Sequence, residues 1–293
     1  MINRLMKRQR ILNHVLRQGF SEKHNKTSFG FKEVKEGQKQ GLVNSVFTSV
    51  SDKYDIMNDV MSGGVHRLWK NHLISDIGIL VPQGPGQDRV EILDVAAGTG
   101  DISYKLIAHQ QQYWNSPEEL HNRLGVTLLD INESILQEAK NKAASLGIDS
   151  RLVNFQLSNA DNLEAIPDNS KDLYVISFGL RNVPDTKKAL SEAFRVLKPG
   201  GRFVCMEFSK VENSVLAEVY RQYSFNAIPL MGQIITGDRE SYQYLVESIE
   251  KFYNQSELLT LIKEAGFEYA TYENLSFGAV AIHSGFKLKN QSD

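Results

Sequence analysis

The chain has 293 residues, 41% of them apolar, and one cysteine, Cys205, which suits one large domain with a substantial core. A single cysteine excludes an intrachain disulfide framework or a cysteine zinc cluster, and no apolar run approaches the roughly 18–20 residues of a membrane-crossing helix. The net charge of -2 is unevenly spread: residues 1–26 hold seven bases and one acid, net +6, and the remainder is net -8, which argues against a nucleic-acid binder.

Before Glu22 the head contains no acid, and Ile2, Leu5, Met6, Ile11, Leu12, Val15 and Leu16 recur among its bases at helical spacing. Residues 1–26 therefore read as a mitochondrial targeting peptide, with a solvated basic tail as the plain alternative. A Gly/Lys/Glu-rich linker is expected at 27–42, helices at 43–60 and 65–79, and a Pro/Gly-rich break at 81–87. From Val90 strand and helix patterns alternate. Strands are predicted at 90–95, 125–130, 152–157, 173–178 and 202–207, with helices from Asp101, at 132–146 and at 186–196. Residues 110–122, with three consecutive glutamines, read as a surface insertion. Helical patterns follow at 216–225, 241–252 and 256–265. Apolar alternation at 269–274 and 279–284 reads as an antiparallel hairpin. The fold class this implies is α/β: a doubly wound, mostly parallel seven-stranded sheet closing in that hairpin.

The strongest local chemistry lies in Asp94-Val95-Ala96-Ala97-Gly98-Thr99-Gly100-Asp101, where an apolar strand turns through two glycines into a helix. Gly98 and Gly100 let the backbone approach a ligand, whose polar groups can take the amides there. A dinucleotide site would place glycine or alanine three residues after Gly100; Ser103 stands there, favouring a nucleoside without a pyrophosphate. Three positions extend the pattern. Asp130 closes the second strand, where an acid can accept from both ribose hydroxyls or simply cap the next helix. Asn159 and Ala160 follow the third, as an adenine reader or an Asx turn. Ser177 ends the fourth, facing the same crevice or capping locally.

With those residues in place, the sequence resembles a class I S-adenosylmethionine (SAM)-dependent methyltransferase of Rossmann-like fold. Within that class it resembles the ubiquinone/menaquinone-biosynthesis C-methyltransferase family, the UbiE type, from Thr48 to Lys287. Tyr54-Asp55-Ile56-Met57-Asn58-Asp59-Val60-Met61-Ser62, with His66 and Trp69, carries the first signature. Phe178-Gly179-Leu180-Arg181-Asn182-Val183 carries the second, and Arg195-Val196-Leu197-Lys198-Pro199-Gly200-Gly201-Arg202-Phe203, continuing to Glu207 and Ser209, the third.

The resemblance implies one methyltransferase domain over 43–289, with an N-terminal helical cap at 43–80 and a substrate lid at 210–240. It maps SAM contacts onto Thr99, Asp130, Asn159, Ala160 and Ser177, with Asp94, Gly98 and Gly100 shaping the pocket, and no metal. The implied reaction methylates a ring carbon of 2-methoxy-6-polyprenyl-1,4-benzoquinol in ubiquinone synthesis. A non-catalytic or O-methylating member serving as a scaffold is the alternative. Ring carbon is nucleophilic only once a hydroxyl ionises, so the site must stabilise a phenolate. Arg181 is the candidate cation, with a salt bridge to an acid such as Asp185 as its structural reading; staying protonated, arginine suits stabilisation better than base catalysis. His66 is the candidate proton acceptor, or a hydrogen-bonded structural histidine, and Tyr54 joins them in the catalytic set. Trp69 reads as core. The apolar lid, with Pro229 and Gly232 expected to break its helix, would cover the polyprenyl tail. Implied partners are a second copy in a homodimer, other ubiquinone-biosynthesis proteins in a complex, and a peripheral contact with the matrix side of the mitochondrial inner membrane.

Overall fold

A computed structural model describes residues 26–50, 54–82, 89–114 and 116–288, and side chains at all of these but 36, 47–50 and 54–56. The basic head, Lys26 apart, and residues 83–87 of the Pro/Gly-rich break lie outside the described residues.

The chain opens with an antiparallel pair, β1 (Lys26–Phe29) and β2 (Lys32–Lys35), and a helix, α1 (Glu36–Val50). The linker expected at 27–42 is therefore structured. Its few large side chains find partners far along the chain: Phe29 stacks on Tyr244 with centroids 4.1 Å apart, and Thr27 donates its hydroxyl to the Pro184 carbonyl at 3.2 Å. Such long-range anchors leave no periodic trace. Helices α2 (Tyr54–Ser62) and α3 (Val65–Ile77) follow.

The central sheet begins with β3 (Val90–Val95), then α4 (Asp101–Gln111), α5 (Pro117–Arg123), β4 (Leu124–Asp130) and α6 (Glu133–Ser145). Next come β5 (Val153–Leu157), β6 (Lys171–Ser177), α7 (Thr186–Val196) and β7 (Leu197–Phe208). Three helices, α8 (Ser214–Thr236), α9 (Arg239–Lys251) and α10 (Gln255–Glu264), precede the hairpin of β8 (Glu268–Leu275) and β9 (Val280–Phe286). The spatial order is β5-β4-β3-β6-β7-β9-β8. All pairs from β5 to β7 are parallel, and β9 runs antiparallel between β7 and β8. This is the doubly wound sheet the alternation predicts. Strand order reverses between β3 and β6, so a crevice opens above their carboxyl ends.

Local chemistry sets the helix starts. Asn132, Asp185, Asn213, Asp238 and Asn254 each accept from an amide in the first turn of α6 to α10, and Asn254 with Glu257 completes a capping box. The expected surface insertion is partly core. Gln110 is buried and bridges Gly78 and Leu80, and Leu120 of α5 is fully buried. Three glutamines hide this in sequence, because only tertiary neighbours satisfy a buried amide.

The lid does not break at Pro229 or Gly232: α8 runs through both. Pro229 forfeits one helical hydrogen bond, at about 3 kcal/mol in an exposed helix, but here it is buried against neighbouring elements. Gly232 serves close packing, since a Cβ there would overlap the Tyr242 ring of α9. Met57 of α2 packs with Ile228, Tyr242 and Val246, joining the N-terminal cap to α8 and α9. Each such fully buried side chain contributes about 1.5–3 kcal/mol through apolar burial.

Candidate active site

Two adjoining cavities lie above the carboxyl ends of the strands. The smaller, about 140 Å³, is lined by Gly98, Thr99, Asp130, Asn159, Ala160 and Ser177. The five expected cofactor contacts, and Gly98 of the pocket-shaping turn, thus converge on one crevice. Gly98 has φ +58, and its amide donates to Asp130 Oδ2 at 2.9 Å. Asp130 Oδ1 accepts from the Asn132 amide at 3.0 Å. The two amides hold the carboxylate in place, while its burial raises its pKa. Asp130 does not cap α6, whose N-cap is Asn132; its carboxylate ties the glycine turn to the start of that helix and lines the crevice. Ser177 Oγ is buried without a partner among the described residues, a hydroxyl left for a ligand.

Asp94 and Gly100 stand behind the crevice. Asp94 is buried and accepts from Ser103 Oγ at 2.7 Å. Burial pushes its pKa up to about 7 against that hydrogen bond. Ser103, which breaks the dinucleotide pattern, is thus the partner of the motif's own acid. Gly100 (φ +83) leaves room for Tyr104 and Leu128, which a Cβ would overlap.

The sequence places a helix only from residue 43, so the first turns of α1, with Lys39 and Gln40, were missed. Gln40, Val43 and Asn44 close the crevice from above, and Gln40 Oε1 accepts from Asn159 Nδ2 at 3.0 Å. Next to them, buried Lys39 donates to the carbonyls of Arg181 and Val183 at 3.3 and 3.1 Å. Burial, then the charge of Arg181, pulls its pKa down to about 8. The only signal was a lysine and a glutamine in a segment read as linker.

The larger cavity, about 560 Å³, is walled mainly by apolar and aromatic side chains of α2, α3, β7, α8 and α9. His66 and Arg181 line it, as do Asn58 and Trp69. Trp69 is thus a wall rather than pure core, and its indole donates to Ser276 Oγ at 2.9 Å. The Tyr54 side chain lies outside the described residues. Phe178, in the left-handed region at φ +55, lines both cavities. Beside it Gly179 must lack a Cβ, which would overlap that of Ala96, itself at φ +52.

Arg181 does not pair with Asp185, whose carboxylate caps α7 by accepting from the Lys188 amide. Its partner is Glu207, with Nη1 2.9 Å from Oε1. Arg181 also donates to the Phe178 carbonyl and lies over the Phe208 ring, 5.3 Å from its centroid. Its Nε is buried without a partner among the described residues. His66 Nε2 meets Asp59 Oδ1 at 2.8 Å. Among the described residues no three His, Cys, Asp or Glu cluster as metal ligands.

Fold and crevice together define a class I SAM-dependent methyltransferase. An anchored acid, a free hydroxyl and a glycine turn fit a nucleoside cofactor, and SAM is the methyl donor. A SAM-dependent methyltransferase from Thermotoga maritima, described as a possible histamine N-methyltransferase, shares the fold with TM-score 0.53 and 19% identity, over 83% of this chain and 98% of that one. The chain belongs to the ubiE/COQ5 methyltransferase family, whose model matches residues 32–287. It is 52% identical over 264 residues to the ubiquinone/menaquinone biosynthesis C-methyltransferase UbiE of Rickettsia bellii, covering 90% of this chain and 100% of that protein. The Rickettsia felis counterpart is 51% identical over the same coverage.

Proposed function

We propose that this chain methylates a ring carbon of 2-methoxy-6-polyprenyl-1,4-benzoquinol in ubiquinone synthesis. The observation that carries the reading is a large apolar cavity, with a buried cation in its wall, that shares the lining residue Phe178 with the nucleoside crevice. Such a cavity suits an aromatic head with an isoprenoid tail. Bound SAM supplies an electrophilic methyl on sulfonium. Asp130 and Ser177 hold the nucleoside, with Thr99, Asn159 and Ala160 completing the crevice. Arg181, held by Glu207, stabilises the phenolate form of the quinol. The apolar walls exclude water, which strengthens that interaction.

The reading extends to the cell. The basic head, whose single acid is Glu22, supports delivery to mitochondria, with work at the matrix face of the inner membrane. Exposed Val215, Val219, Leu230 and Ile234 on α8 support contact with a lipid surface or with partners, including a second copy and other ubiquinone-biosynthesis proteins. Among the described residues no helix is long and apolar enough to cross a membrane.

The test is a product assay with SAM and a reduced short-tail methoxybenzoquinol. A new ring C-methyl signal by NMR is expected. An O-methyl signal, or no transfer, would sink the reading.

A further inference from the structure

The proposed reaction needs a base for the quinol hydroxyl, and a protonated arginine paired with a carboxylate is a poor one. The larger cavity has a second polar residue in its wall, His66, whose surroundings define its tautomer. Its Nε2 lies 2.8 Å from Asp59 Oδ1. A carboxylate only accepts, so Nε2 carries the proton and, in the neutral ring, Nδ1 carries the lone pair. Nδ1 is buried and without a partner among the described residues, and leaving a buried acceptor unpaired costs about 1–3 kcal/mol. His66 lines the cavity, and a donor that reaches Nδ1 from there would recover that cost.

Asp59 is itself fixed. Arg67 donates Nε to Oδ1 at 2.7 Å and Nη2 to Oδ2 at 2.6 Å. Those hydrogen bonds, then that of His66, hold its carboxyl well below the usual carboxylate range. The other charges near His66 are also committed. Lys70, one turn on in α3, pairs with Asp101 at 2.8 Å, and Arg181 in the same cavity wall pairs with Glu207.

We propose that His66 is the general base of the reaction and that Asp59, clamped by Arg67, is the positioning residue that fixes its tautomer. The inference rests on the quinol reading above. The ring O–H bond breaks and an N–H bond forms at Nδ1. The electron pair stays on oxygen as a phenolate facing Arg181, and the imidazolium is balanced by Asp59. The ring carbon takes the methyl as the S–CH3 bond breaks, its own hydrogen then leaves as a proton and the oxygen is reprotonated, which restores the aromatic quinol, and the one proton left over passes from Nδ1 to solvent.

The experiment combines kinetics with ¹⁵N NMR on the full chain. His66→Gln lowers kcat about 100-fold or more, leaves SAM affinity and Tm near wild type, and abolishes the acidic limb of the kcat–pH profile. Asp59→Asn lowers kcat about tenfold or more by freeing the tautomer, and Asp59→Glu restores most of it. Without any substrate, the His66 ring shows its proton on Nε2 in wild type, and a mixture in Asp59→Asn. A His66→Gln kcat within threefold of wild type, an unchanged pH profile, or a proton on Nδ1 in wild type overturns the proposal. If wild type makes no ring C-methyl product, the quinol reading fails separately, and the position of the ring proton still decides the dyad.

Discussion

Arg181 and Glu207 form an ion pair sealed inside the protein, 2.9 Å apart with side chains 5% and 1% exposed. Glu207 also accepts from the amides of Arg181 and Phe208. The pair locks the turn after β6 onto β7 and holds the guanidinium at the cavity wall.

Breaking that pair strands a buried charge. Glu207→Ala should destabilise the fold by about 3–5 kcal/mol, read by urea denaturation. Arg181→Ala should cost a similar amount, so its turnover must be measured well below the new Tm. At such a temperature it keeps SAM affinity and loses turnover. An unchanged kcat would remove Arg181 from the chemistry.

Asp130→Asn keeps the size of the side chain but loses the anion between the Gly98 and Asn132 amides. SAM affinity should fall by about 10–100-fold, equal to 1.4–2.7 kcal/mol, with Tm little changed. Calorimetry reads it directly, and undiminished binding would place the nucleoside elsewhere.

Asp94 gives the fold a pH signature. Its pKa rises on folding from 3.8 to about 7, so the folded state binds more protons than the unfolded state in that window. Stability from this group is present below pH 4 and lost as pH rises towards 7, at up to about 1.4 kcal/mol per pH unit. Asp94→Asn should therefore gain on wild type between pH 4 and 7 and keep a constant difference above. Denaturant titrations at each pH check this; a difference that does not move with pH contradicts it.

Gly232→Ala drives a methyl into the Tyr242 ring. Overpacking of this kind costs about 1–3 kcal/mol and should lower Tm, because α8 and α9 must separate. If Gly232 were instead a hinge, the substitution would leave Tm unchanged and alter kcat alone.

The β/α alternation, the Asp94–Asp101 turn and the acid closing the second strand could all be read along the chain, because strand period, glycine turns and helix caps act over a few residues. That was enough for the fold class and for six residues of one crevice. The partner of Arg181 could not be read this way. Asp185 was nearer in sequence, but Glu207 lies on the adjacent strand, with β6 and β7 in register from Leu173↔Arg202 to Ser177↔Met206. The role of α1 was equally hidden, because Lys39 and Gln40 gain meaning only where carbonyls and Asn159 from more than a hundred residues away meet them.

Pro229 and Gly232 mark the same boundary. Local propensity argues for a break, and packing overrides it, since α9 covers the glycine and neighbouring elements bury the proline. Patterns with a short period belong to the linear chain. The tautomer of His66, the pairing of Arg181 and the meeting of the two cavities at Phe178 belong to contacts made at a distance, where burial makes each unpaired polar group costly and so selects one arrangement.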